Sequence, residues 1–119
     1  MITLDHVRTR RAFGETLWDK QVVRQKLADC ASRVEAVKSL IYHTSWLDSQ
    51  GRDCVREVSM IKVEAARTLQ HVVWECQQLH GGAGYMQGME IERLYRDARV
   101  QAIGGGASEV MLEEVAKRL

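Results

Sequence analysis

Proline is absent from this 119-residue chain, and between residues 19 and 80 there is a single glycine, Gly51. Nothing in that stretch removes a backbone donor or invites a break, so long uninterrupted helices are the natural reading. An excess of one charge is also missing: 17 Lys and Arg against 16 Asp and Glu give a formal net charge of +1. That balance excludes a charged tail or a nucleic-acid clamp. Arg8, Arg10 and Arg11 form a short basic cluster, but aromatics do not interleave with it as on a base-stacking platform. No apolar run approaches the length needed to span a bilayer. Residues 1 to 20 hold Asp5, Arg8, Arg10, Arg11, Glu15, Asp19 and Lys20 with no apolar run between them, unlike a signal peptide. The three cysteines, Cys30, Cys54 and Cys76, are odd in number, far apart and set in apolar stretches. They read as reduced core thiols, and the expected location is cytoplasmic.

What is present fits one domain, residues 1–119. A chain of this size buries roughly two-thirds of the surface its unfolded form exposes, and 45% hydrophobic residues suffice for one core. Met1 to Arg8 reads as a stub of helix. The pattern breaks at Phe13-Gly14, and Asp19 is placed to cap the next helix. Val23, Leu27, Cys30, Val34, Val37, Ile41 and Thr44 then recur at steps of four and three, marking one side of a helix to about Ser49. A helix of about 30 residues spans roughly 45 Å and needs a partner of similar length. After a stop at Gly51 and a cap at Asp53, Val58, Ile61, Ala65, Leu69, Val72, Cys76 and Leu79 repeat that spacing. The second long helix is expected antiparallel to the first. A short helix from about Met89 to Tyr95 comes next, and then a closing helix carrying Val110, Met111, Val115 and Leu119. Strands find no support. The expected fold is an all-α helical bundle of two long antiparallel helices plus short ones.

Chemistry can sit at two glycine-rich turns. Gly104-Gly105-Gly106 ahead of a helix exposes backbone N–H groups at the positive end of a helix dipole, which suits phosphate or an oxyanion; a plain flexible turn would look the same. Gly81, Gly82 and Gly84 come after Gln78 and equally describe a helix C-cap. Cys76 and His80 share a helical face, yet no third metal ligand stands at a sensible spacing. His43 and His71 read as packing residues, and Arg96-Asp97 with Glu90, Glu92 and Arg93 as a charge network.

Three landmarks stand in order: RTRRAFG from Arg8 to Gly14, QLHGGAGY from Gln78 to Tyr85, and RDARVQAIGGGASEV from Arg96 to Val110. In them the chain closely resembles the C-terminal helical domain of the acyl-CoA dehydrogenase flavoproteins. That resemblance implies oxidation of acyl-CoA to 2,3-enoyl-CoA with FAD, electrons passing to an electron-transfer flavoprotein, and assembly as a homo-oligomer, dimer or tetramer. It implies FAD contacts from Arg10 and Phe13, reaching a neighbouring subunit's cofactor, and from Gln21, Gln78, Gly81 and Gly82. Ala107 and Glu109 stand where the family often has Thr and Gln near FAD. Gly105 occupies the place of the family's usual catalytic glutamate, so it can keep the amide that polarises the thioester but cannot be the base; Gly106 adjoins the same substrate position. This departure resembles the subgroup, including the isovaleryl-CoA and long-chain dehydrogenases, whose base lies on the preceding helix. No catalytic side chain, metal, nucleic acid or membrane is expected here. The family's N-terminal helical and middle β domains have no counterpart in this chain, so alone it is expected to be inactive. Two other readings stay open: a stand-alone helical subunit completing a flavin site on a partner chain, and a non-catalytic oligomerising bundle.

Overall fold

In the computed structural model, which describes residues 2–119, the chain runs through helix α1 (Ile2–Thr9) and a small hairpin of β1 (Arg11–Ala12) and β2 (Glu15–Thr16). The long helices α2 (Gln21–Ser49) and α3 (Val55–His80) come next, then the single turn α4 (Gly82–Tyr85). Helix α5 (Glu90–Ala98), a 3-10 segment (Arg99–Ala102) and α6 (Ser108–Ala116) complete the chain. The all-α bundle is as expected. Met1, counted above with the stub, lies outside the described residues.

Gly51 stops α2 through a Schellman motif: its N–H donates to Asp48 O at 2.8 Å, the Arg52 N–H reaches back to Leu47 O at 3.3 Å, and Gly51 itself sits at φ +73. Asp53 takes the first amide of α3, from Val55, at 3.1 Å. The chain thereby reverses in a few residues. Lys26 to Glu75 at 2.5 Å and His71 to Asp29 at 2.9 Å fix the antiparallel register.

Every other helix packs on α3, which touches α1, α2, α4, α5, the 3-10 segment and α6. Being covered on more than one side, it buries Ser59, Val63, Ala66 and Val73, with Val63 only 1% exposed. The expected apolar stripe is one position off this line, and Val58 at its start is 55% exposed. The cause is polar residues at core positions, which an apolarity pattern passes over: Ser59 satisfies its hydroxyl on Val55 O at 2.7 Å, and the Gln70 Nε2 is buried without a partner among the described residues. On α2, Val23, Cys30, Thr44 and Leu47 are buried, whereas Val34, Ile41, Tyr42 and Trp46 stay exposed. One side of α2 is therefore open along its middle. The free cysteines Cys30 and Cys54 are buried, and burial pushes the Cys30 thiol up to about 11.

Two expectations are corrected. Strands do occur, as a two-residue ladder pairing Arg11 with Thr16 and Ala12 with Glu15. Asp19 does not cap α2: its carboxylate turns back to accept from Thr16 N at 2.8 Å and Thr16 Oγ1 at 2.7 Å, which holds it below the usual carboxylate range. Lys20 opens the helix instead, with no side-chain cap.

Candidate functional site

The hairpin loop is Phe13-Gly14, with φ of +56 and +87. Two positive values make a type I′ turn, which matches the twist of the flanking strands but normally takes Asn or Gly first. A phenylalanine there is strained. It is also 97% exposed, and the Lys20 Nζ lies 5.6 Å from its ring centroid. The turn is braced from outside the aromatic: Arg11 Nη2 donates to Gly14 O at 2.8 Å, and Lys20 pairs with Glu15 at 2.8 Å. The chain thus holds a bulky apolar ring out of its own core.

The hairpin folds back on α1, through Trp18 N to Val7 O and Leu17 N to Arg10 O, both 2.9 Å. Helix α1 in turn docks on the end of α3. The His6 and His80 rings stack at 4.1 Å, and His80 Nε2 lies 3.3 Å from Thr3 Oγ1. Burial, and then the neighbouring His6, hold the His80 pKa below its ordinary value. Arg10, Phe13, Gln21 at the start of α2, and Gln78, Gly81 and Gly82 at the end of α3 are consequently gathered at one end of the molecule. The side chains of Arg10, Gln21 and Gln78 are exposed and make no hydrogen bond within the described residues.

The glycines at the end of α3 have separate reasons. Gly81 has φ +60 and ψ −149, a region open in practice to glycine alone. Gly84 is required by packing, because a Cβ there would lie 2.7 Å from His80 Cβ and 2.9 Å from Gln77 O. Gly82 is required by neither: its φ is ordinary and a Cβ would meet nothing within 4 Å. The segment read as a helix C-cap and glycine-rich turn contains one helical turn, α4.

The second glycine turn lies elsewhere. Gly105 and Gly106 have φ of +65 and +104; Lys62 of α3 lies under the first and Met111 under the second. Lys62 and Gln78 are sixteen residues apart on α3, so the two sites are separated by roughly 24 Å along the helix. The Gly105 and Gly106 amides donate to nothing among the described residues. Ala107 precedes α6 without a side-chain cap, and Glu109 puts a carboxylate in its first turn, where it offsets the positive end of the helix dipole. An isolated phosphate is therefore poorly served there, while a neutral carbonyl oxygen is not opposed. The 3-10 segment that delivers the chain to this turn gave no distinct signal in the sequence.

The model of the acyl-CoA dehydrogenase C-terminal domain matches residues 2–119. The chain belongs to the acyl-CoA dehydrogenase family. It is 34% identical over 98% of its length to cyclohexane-1-carbonyl-CoA dehydrogenase of Geobacter metallireducens, covering 30% of that protein. It is 37% identical to the mitochondrial long-chain specific acyl-CoA dehydrogenase of Rattus norvegicus, covering 98% of this chain and 27% of the relative. A crystal structure of a probable acyl-CoA dehydrogenase from Mycobacterium abscessus superposes with a TM-score of 0.95 at 41% identity, over 98% of this chain and 31% of that one. The acyl-CoA dehydrogenase domain thus spans about a third of the length of the relatives it matches.

The family is one of FAD-dependent oxidoreductases, and the hairpin end fits that cofactor on its own chemistry. Arg10 offers a guanidinium with no hydrogen bond among the described residues, suited to a pyrophosphate. Phe13 offers an aromatic face, Gln21 and Gln78 offer free amides, and Gly82 leaves backbone open to close approach.

Proposed function

We propose that this domain lends one end to a flavin and another to an acyl thioester in a FAD-dependent acyl-CoA dehydrogenase, and that copies assemble through the open side of α2. The observation that carries the reading is Phe13, held in a strained left-handed conformation and 97% exposed near Arg10, whose guanidinium makes no hydrogen bond among the described residues. Such strain persists where contact with something outside the chain repays it.

Arg10 would pair with the pyrophosphate, Gln21 and Gln78 would donate to or accept from the same cofactor, and Gly81-Gly82 would let backbone approach it. Ala107 and Glu109, at the other turn, would lie near a flavin too. Lys62, beneath that turn, lies roughly 24 Å from Gln78 along α3, so one chain's two ends would serve different cofactors and a site would be completed by a second copy. FAD, when bound, supplies the hydride acceptor for converting acyl-CoA to 2,3-enoyl-CoA. The Gly105 N–H, with Gly106 beside it, would donate to the thioester oxygen, where charge grows as the α proton leaves. Gly105 cannot take that proton. Asp5 and Glu15 belong to the hairpin end, and Glu15 is held by Lys20, so the base is another carboxylate. An electron-transfer flavoprotein would reoxidise the cofactor.

The substitutions Arg10→Ala and Phe13→Ala test this in the flavin-loaded protein that carries the domain. Flavin retention, read from absorbance near the flavin band after gel filtration, should fall at least tenfold for Arg10→Ala. Retention equal to wild type in both would remove the assignment. The second reading, a helical subunit completing a flavin site on a different chain, is favoured by the same open α2 side, where Tyr42 and Trp46 are exposed. Co-purification of a flavin-bearing partner distinguishes it from self-association.

A further inference from the structure

The Gly104–Gly106 turn has almost nothing of its own to hold it. Its last backbone bonds are Ile103 N and Gly104 N to Val100 O, at 2.9 and 2.7 Å. Three successive glycines offer no side chain, two of them are in left-handed conformations, and Ala107 supplies no cap to α6. Left alone, such a segment would wander over many conformations.

One side chain reaches it from the central helix. Lys62, on α3, places its Nζ 2.5 Å from the Gln101 carbonyl oxygen, at the closing end of the 3-10 segment. Its Cε lies 3.8 Å from where a Cβ of Gly105 would be. The ammonium therefore satisfies a carbonyl at the negative end of a helical segment, where a cation is favoured. The methylene stem forms the floor beneath Gly105. Lys62 has no carboxylate partner in the described residues, unlike Lys20, Lys26, Lys38 and Lys117.

We propose that Lys62 is a positioning residue that fixes the Gly104–Gly106 turn to α3 and so fixes where the Gly105 N–H points. This rests on the reading of Gly105 as a thioester donor for its consequence in catalysis, but not for the contact itself. A donor aimed at developing charge is effective only when held in place before the reaction. The floor also explains why the turn keeps its place with no side chains in it.

The test uses Lys62→Met, which keeps the stem and removes the donor, and Lys62→Arg, which restores a cation able to reach the same carbonyl. In this chain, the backbone order parameters of the Gly105 and Gly106 amides should fall in Lys62→Met from about 0.85, typical of rigid backbone, to below about 0.6. Hydrogen exchange at Ile103 and Gly104 should rise at least tenfold while the α2 and central α3 amides keep their protection. Lys62→Arg should recover much of both. Unchanged order at Gly105 would overturn the proposal, as would loosening spread evenly over the chain. In the flavin-loaded enzyme, Lys62→Met should lower kcat for acyl-CoA about tenfold or more with little change in KM or flavin content. Loss of order at the turn with kcat intact would leave Lys62 as its anchor and instead remove the role given to the Gly105 N–H.

Discussion

Replacing Phe13 by asparagine should make the protein more stable while weakening its hold on flavin. The left-handed conformation costs an ordinary L-residue roughly 1–2 kcal/mol and asparagine less, because its short polar side chain bonds locally. Little offsets the gain: at 97% exposure Phe13 loses no burial on substitution. Its Lys20 contact, with Nζ 5.6 Å from the ring centroid, is worth about 0.5–1 kcal/mol at an exposed site. The net is a stabilisation of about 0.5–1 kcal/mol. Unfolding entropy near 2.1 cal/mol/K per residue gives about 0.25 kcal/mol/K for a chain of this size, so Tm should rise by about 2–4 °C. Differential scanning calorimetry on the flavin-free protein reads this directly. A Tm lowered by more than about 2 °C would mean that Phe13 packs against its own chain, and the inference from strain to external contact would collapse.

Two glycines of the QLHGGAGY segment, Gly82 and Gly84, should behave oppositely. Gly84→Ala drives a Cβ into His80 Cβ and the Gln77 carbonyl, neither of which can swing away, and should cost about 1–3 kcal/mol, read as a lower urea midpoint at unchanged slope. Gly82→Ala should be neutral within about 0.5 kcal/mol in the flavin-free chain, since the added carbon meets nothing, yet should reduce flavin retention. For His80, burial and the stacked His6 depress the folded pKa below the ordinary 6.5. Its contribution is therefore complete above pH about 6.5 and is lost as pH falls through the lowered folded value. Wild-type Tm should drop between pH 7 and about 5, and His80→Gln should flatten that profile; an equally steep profile in the variant would assign the drop to other groups.

Much of the fold was legible because the missing residues mattered as much as those present. Without proline, and with Gly51 alone across sixty residues, the chain could only form two long helices and one hairpin between them. The face of α3 was harder to read. Ser59 and Gln70 occupy core positions, and a serine that returns its hydroxyl to its own helix packs like a small apolar residue. Asp19 illustrates local competition: Thr16 offers it two donors three residues back, and these win over the amides of α2. The site residues were legible only through their resemblance to a family. Spacing alone could not separate a glycine kept for its backbone from one kept for its neighbour.

The structure makes that separation, and the criterion is whether a broken local rule has an explanation inside the chain. Gly51 and Gly81 are explained by backbone angles, Gly84 by His80 against it, and Asp19 by Thr16. Three features at the hairpin end have no such account. Phe13 is strained and exposed, Arg10 is a guanidinium without a hydrogen-bond partner among the described residues, and Gly82 is a glycine that neither angle nor packing demands. Any one would be unremarked on a surface of this size. Their coincidence at one end, beside two side-chain amides with no hydrogen bond among the described residues, is a different matter: a consistent sequence departs from local rules mainly where function requires it. By the same criterion Gly105 is partly explained internally, by its left-handed angle and the Lys62 stem beneath it. What stays unexplained there is the amide itself, which donates to nothing among the described residues, and a backbone donor left open at a turn is the kind of group the proposed thioester contact would use.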